Sequence, residues 1–262
     1  MFSIKELYAV IDAFAPFRFS DELVRRGDYD NSGIVVKTHD EVKKVLFSLD
    51  LSDKSVKKAK SLSCDTVITH HPAIYHPIRS LNEDDKTTSP VLSAAKNGVN
   101  VISCHLNLDV AKCGIDDGLA KGLGGKDVKL LDEIESGVGY GREFTLDVSF
   151  SELKKRIKEN FGTDKFLCYK NTEKAIKCAS FCGGGSSYAI DFIKEGKTDA
   201  DLIVTSDMPH HVLKELTEYG KSIIILPHYV AEEYGFKKFY ESISEKLSGK
   251  AQSYYFSDKR FF

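Results

Sequence analysis

Asp65-Thr-Val-Ile-Thr69 runs directly into His70-His71-Pro72, and much later Asp201-Leu-Ile-Val-Thr205 runs into Ser206-Asp-Met-Pro-His-His211. Each is a short, β-branched apolar run between polar boundaries, the pattern of a buried strand. In both halves an amphipathic stretch follows, and then a second apolar run that ends in histidine. These runs are Val101-Ile-Ser-Cys-His105 and Ile223-Ile-Ile-Leu-Pro-His228. Strand, helix and strand twice in one order argue for parallel sheet in a duplicated lobe. A repeat of this kind turns the polar strand ends of both halves toward a crevice, where open α/β sheets bind ligands.

Working outward, further strands are expected at Gly33–Lys37, Val45–Asp50, Phe144–Ser149, Ile176–Phe181 and Ser253–Phe256. Helical periodicity covers Pro90–Asn97, Ser151–Asn160 with Gly162 as its stop, Tyr188–Glu195 and Phe236–Leu247. The expected fold class is α/β, with two similar lobes built on mixed, largely parallel sheets. The first lobe is expected over residues 1–130 and the second over 131–262. Their boundary is placed in Gly124–Gly141, a glycine-spaced stretch of weak periodicity.

Composition narrows the function classes. The chain has 262 residues, 42% apolar and 29% charged, and 37 Lys plus Arg nearly cancel 39 Asp plus Glu. A net charge of −2 gives no polyanion-binding surface, so nucleic acid is not an expected partner. Six Cys are too few for a disulfide scaffold. Lys5, Glu6 and Asp12 break any signal-peptide core, while Ser3 and Glu6 form a capping box for a first helix carrying Ile4, Leu7 and Ile11. No apolar run approaches the roughly 20 residues that span a bilayer. The expectation is a soluble, cytoplasmic protein with no membrane partner.

Seven of the eight histidines fall in three segments, at 70, 71 and 76, at 105, and at 210, 211 and 228. Adjacent His70 and His71 would point opposite ways on a strand. At a strand end kinked by Pro72 each can serve a different ion. His105, Asn107 and Asp109 share one face if that segment is extended. His228 and Glu232 are spaced i, i+4 on a helical turn, with Glu233 turned about 100° away. Imidazole plus carboxylate suits Zn, Fe, Mn, Co or Ni. His70, His71, Asp109, His228 and Glu232 overfill one catalytic site, which must keep an open position, and suit two divalent ions about 3.5–4 Å apart.

These segments carry a family resemblance. Thr69-His-His-Pro72, Cys104-His-Leu-Asn-Leu-Asp109 and Pro227-His-Tyr-Val-Ala-Glu232 resemble the signatures of the GTP cyclohydrolase I type 2 homologues, the Nif-three-like proteins. Tyr29-Asp-Asn-Ser-Gly33 and Cys182-Gly-Gly-Gly-Ser-Ser187 are similar to two further segments. The chain looks like the short form, without the domain that longer members insert. The resemblance implies a two-lobed α/β fold, a toroidal homohexamer and a dinuclear metal site. It implies that His71 and Asp109 hold one ion, His70 and His228 the other, and that Glu232 bridges them. His105 is then a neighbour or extra ligand. Separately, an enzyme needs a catalytic base that is not itself a ligand, for which His105 and His210 are the candidates. Ser63-Cys64 and Lys112-Cys113 depart from the usual Gly-Ala and Pro-Gly, outside the proposed ligands.

Two motifs stand apart. Gly183, Gly184, Gly185 and Ser186 lie between a strand and a helix, where free N–H groups can cradle a phosphate. A tight turn accounts for the same glycines, and the lysine of a P-loop is missing. His210 and His211 open an amphipathic helix and read as crevice-facing neighbours of the ligands. Cys178 and Cys182 read as structural thiols. The functional expectation is a metal-dependent hydrolase of GTP cyclohydrolase type acting on a nucleotide or a small phosphate or amide substrate. Its alternative is a non-catalytic metal-binding assembly or regulatory protein.

Overall fold

The computed structural model describes residues 1–262. It divides into two compact units, Met1–Ala111 with Phe239–Asp258, and Lys112–Lys238 with Lys259–Phe262. The α/β expectation holds for both.

The first unit opens with helices α1 (Ile4–Asp12) and α2 (Arg18–Arg26). The Ser3 side chain accepts the Glu6 N–H and the Glu6 carboxylate accepts the Ser3 N–H, the reciprocal cap read from sequence. Strand β1 (Gly33–Val36), β2 (Lys44–Ser48), α3 (Asp53–Leu62), β3 (Thr66–Thr69), α4 (Ser89–Lys96), β4 (Asn100–Ser103) and α5 (Leu106–Val110) follow. Strands β2, β3 and β4 are mutually parallel, and β1 pairs antiparallel with β4. Parallel neighbours need a crossover connection, and α3 and α4 supply it. Every residue of β3 and β4 is buried, as expected of strands covered on both faces.

The second unit holds α6 (Ile115–Leu123), β5 (Lys126–Glu135), β6 (Val138–Ser149), α7 (Phe150–Phe161), β7 (Leu167–Tyr169), β8 (Lys174–Ser180) and α8 (Ser186–Lys194). It continues through β9 (Leu202–Thr205), α9 (His210–Glu218), β10 (Ser222–Ile225) and the start of α10 (His228–Leu247). The division between the units falls inside α10, and β11 (Gln252–Phe256) then pairs parallel with β2 in the first unit.

The two sheets read β1-β4-β3-β2-β11 and β5-β6-β8-β9-β10-β7. Within both lies the same four-strand plan. Strands β8, β9 and β10 are parallel, with α8 and α9 as crossovers, and β7 pairs antiparallel with β10. That is the arrangement of β2, β3, β4 and β1. The units differ in what extends the plan, a parallel β11 in one and an antiparallel β5–β6 hairpin in the other.

That hairpin corrects the sequence reading. Gly124–Gly141 is regular structure for most of its length, since β5 pairs with β6 from Lys126 to Glu135 across a turn at Gly137. The strand β5 is half exposed at a sheet edge, so it lacks the apolar signal that marked the buried strands. The short β7 was missed for the same reason.

Apolar packing fixes the strand ends in place. In the first unit Leu46, Val67 and Val101 pack on Val56, Ala59 and Ala94 of the crossover helices. In the second, Cys178, Leu202, Val204 and Ile224 pack on Leu119 and Leu123 of α6 and Val230 and Ala231 of α10. Helices α6 and α10 approach closely, because a Cβ at Gly118 would lie 2.4 Å from the Gly235 Cα. The aromatic C-terminus is used within the chain. Tyr254 and Phe256 join the first unit's core, and Phe261 stacks on Tyr229 in the second.

Candidate metal centre

In the first unit the candidate ligands stand at the ends of β3 and β4. The N–H groups of His70 and His71 both donate to the Leu49 carbonyl, at 3.1 and 3.0 Å. The Thr69 hydroxyl donates to the His71 carbonyl at 2.8 Å and meets the Ser103 hydroxyl at 2.9 Å. Ser103 Oγ in turn accepts the Ala73 N–H at 3.1 Å. These bonds fold the chain sharply at His70-His71-Pro72, so the two imidazoles, which a straight strand would send apart, have ring centres 5.0 Å from each other.

The segment after β4 is helical, not extended. His105 caps α5, and the Asp109 N–H donates to the His105 carbonyl at 3.0 Å. One helical turn therefore brings His105 and Asp109 to one side, and Asn107 is removed from it. The buried Asn107 amide instead donates to the Ala15 carbonyl at 2.7 Å, and its N–H to Ser20 Oγ at 3.0 Å. Extended spacing gave the right pair for the wrong reason. Ligand atoms of His70, His105 and Asp109 lie within 4.8 Å of one another, the geometry of a metal-binding group.

In the second unit His228 opens α10, and its Nε2 lies 3.0 Å from Glu232 Oε1, the i, i+4 contact expected. Glu232 is 1% exposed and Glu233 8%, so Glu233 is turned into protein and not into solvent. Gly183 backs directly onto this pair. A Cβ there would sit 3.1 Å from Glu232 Oε1, and the backbone has φ +54°. At Gly185 a Cβ would lie 2.2 Å from the Tyr140 hydroxyl, whereas Gly184 borders open space. Close packing thus accounts for two of the three glycines.

One feature of the donor set was not foreseen from the sequence. Every candidate histidine has its Nδ1 held by an acceptor. His70 Nδ1 meets the Cys104 carbonyl at 2.8 Å, His71 Nδ1 meets Asp50 at 2.6 Å, and His105 Nδ1 meets Asp30 at 2.8 Å. His228 Nδ1 meets Asp207 in the same way. A carbonyl or carboxylate can only accept, so each Nδ1 carries the proton and the neutral ring presents a lone pair at Nε2. Acceptors behind metal-ligating imidazoles commonly fix tautomer and ring orientation in this manner. Yet His70 Nε2 lies 3.4 Å from Asp109 Oδ1, and His228 Nε2 lies 3.0 Å from Glu232 Oε1. Two acceptors at such distances share a proton, carried by either group, or a metal ion. The residues fit a divalent transition metal.

Tyr29-Asp-Asn-Ser-Gly33 now has a structural meaning. Asp30 holds His105, Ser32 Oγ accepts the His105 N–H at 3.0 Å, and Asn31 donates to the Ile74 carbonyl at 2.6 Å. Burial alone would push the Asp30 carboxyl up, but hydrogen bonding and charge from His105, with Ser20 and Ser32, hold it below the ordinary carboxylate range. Acidic residues that end one strand or follow the next are the sequence signal that would have found Asp50 and Asp207. His210 and His211 begin α9 and are exposed, so neither is a packing residue. Burial drives the Cys104 and Cys178 thiols upward, as befits structural cysteines, and all six cysteines are free. No helix is long and apolar enough to cross a membrane.

Residues 2–260 match the family model described as Duf34/NIF3 (NGG1p interacting factor 3). A "GTP cyclohydrolase 1 type 2 homolog" of Clostridium perfringens is 26% identical, covering 95% of this chain and 94% of its own. Another relative of that name, from Methanocaldococcus jannaschii, is 30% identical over 93% and 95% of the two chains. Among solved structures, a Bacillus cereus protein related to NIF3 superposes with a TM-score of 0.84. It covers 98% of this chain and 97% of its own at 18% identity, a likeness of fold.

Proposed function

The chain belongs to the Duf34/NIF3 family, and from that premise we propose that it is a cytoplasmic, dinuclear metal-dependent hydrolase of GTP cyclohydrolase type. Its substrate would be a nucleotide or a small phosphate- or amide-containing molecule, and its assembly a homohexamer. The observation that carries the reading is the donor set. Each imidazole is fixed through Nδ1, and two of them face a carboxylate at a distance that a metal ion could bridge.

His70, His71 and Asp109 of the first unit and His228 and Glu232 of the second are the proposed ligands, with Glu232 shared between two ions as the segment resemblance implies. A divalent metal centre held by these residues would supply the charge to polarise a substrate oxygen and acidify water. The chain's own contribution is orientation and proton transfer. Asp50 and Asp207 hold two ligand rings, and Asp30 holds His105 so that its Nε2 can accept a proton and return it. A substrate phosphate would rest on Gly183–Ser186 at the N-terminus of α8, where Gly184 borders open space.

Metal analysis of untagged protein, followed by a nucleotide and metabolite hydrolysis screen, tests the reading. Close to two equivalents per chain are expected, and full occupancy at one would replace the dinuclear centre with a mononuclear one. Glu232→Gln should weaken both ions together, while Glu233→Gln keeps them. His105→Gln should abolish turnover with metal retained; loss of metal would make His105 a ligand instead. Metal binding with no turnover of any compound in the screen would favour the non-catalytic alternative.

A further inference from the structure

Tyr29 and Tyr75 are 43% and 40% exposed, although their rings pack on each other and Tyr75 also meets His105. Their ring centres are 4.9 Å apart at 69°, and His76 stands 5.0 Å from Tyr29 and 4.7 Å from Tyr75. Tyr75 meets the His105 ring edge-on, at 6.0 Å and 90°. The two loops that carry these rings are tied by Asn31 donating to the Ile74 carbonyl at 2.6 Å. Tyr75 Oη also reaches the Tyr29 carbonyl at 3.5 Å. The rings are therefore preorganised, and ordering them on binding costs little.

We propose that Tyr29 and Tyr75 form a stacking wall for the planar nitrogen heterocycle of the substrate, a ring of nucleobase type. This rests on the reading of the neighbouring histidines as a substrate-binding site, and it narrows that reading to ring-bearing molecules. Two features select this occupant. Exposed aromatic faces favour a flat ring, since stacking tolerates any base with a π-face. Finally, Tyr29 precedes Asp30, the residue that holds His105, so the wall and the proton-transfer group are set by one short segment.

Saturation-transfer NMR and equilibrium dialysis of the full chain with guanosine, adenosine, uridine, ribose and tetramethylammonium test this, on both chelator-treated and zinc-loaded protein. Nucleosides should bind in both states and ribose in neither, with saturation passing from tyrosine ring protons to the base. Tyr29→Leu and Tyr75→Leu should each weaken nucleoside binding about tenfold or more, the scale of one aromatic–base stack, while Tyr→Phe variants bind normally. Zinc content of the variants should match wild type, which separates this result from any failure of the metal site. Absence of nucleoside binding to wild type, or equal binding to the Leu variants, overturns the proposal. Tyrosine-dependent binding of tetramethylammonium alone overturns it too, in favour of a cation cage. Should either Leu variant fail to fold, the transfer of saturation in wild type decides.

Discussion

The end of β3 and the end of β9 occupy the same place in one four-strand plan, yet they do different work. Both strands close on a threonine, Thr69 and Thr205, and both are buried along their length. At Thr69 the hydroxyl braces a turn that carries two imidazoles. At Thr205 the hydroxyl only reaches the next carbonyl, at 3.4 Å, and the chain runs on through Asp207 to exposed His210 and His211. The candidate donors of the second unit come from the following helix, His228 and Glu232, with Asp207 holding His228 from the loop. A repeated backbone thus supplies a repeated location, and the local turn decides whether histidine there faces other donor side chains or water.

The comparison is broken most severely at the histidines themselves. His70→Ala removes a wholly buried donor and should lower metal affinity by more than about 100-fold, beyond the usual cost of losing an outer partner. His210→Ala and His211→Ala, read by dialysis and elemental analysis in parallel, should leave metal content unchanged. If they do not, the two strand ends are functionally alike after all.

Next in size are the carboxylates behind the rings. Asp50→Asn and Asp207→Asn keep the shape but weaken the hold on His71 and His228, and each should lower metal affinity by about 10- to 100-fold. Similar losses in both would show that the two units use one device from different positions.

Smaller again is the effect of the strand-end hydroxyl. Thr69→Val strips a donor from the His71 carbonyl and a partner from Ser103, which should cost about 1–3 kcal/mol in denaturant unfolding. The matching Thr205→Val should cost less than about 1 kcal/mol, because only one long bond is lost.

The smallest effect concerns thiols near the same strands. Burial raises the Cys104 and Cys178 thiols and pushes Cys64 to about 11, so these stay protonated as pH rises from 7 to 9. The thiolate is the nucleophile, so iodoacetamide should not gain on them over that range. Exposed Cys113 should label first in a mass-spectrometric time course.

Buried elements were legible because apolar runs and caps announce themselves locally. Val67, Ile68, Val101 and Ile102 mark their strands, and Ser3 with Glu6 marks the first helix. The candidate histidines were legible too, since imidazole at the tip of an apolar strand is conspicuous. The hairpin from Lys126 to Ser149 was not, because a half-exposed edge strand needs no apolar face and takes its conformation from its partner.

By itself the sequence determined the α/β class, the repeated strand–helix–strand order and the donor types, all of which depend on residue chemistry and short spacing. Tertiary structure alone decided which acceptor stands behind each ring. Asp30, Asp50 and Asp207 reach His105, His71 and His228 across long stretches of chain, and only the pairing of strands and the folding of loops puts them there. It also decided that His105 and Asp109 meet around a helical turn and that His210 and His211 face water. Spacing says which side chains share a face, but the direction of that face is set by what the rest of the chain packs against it.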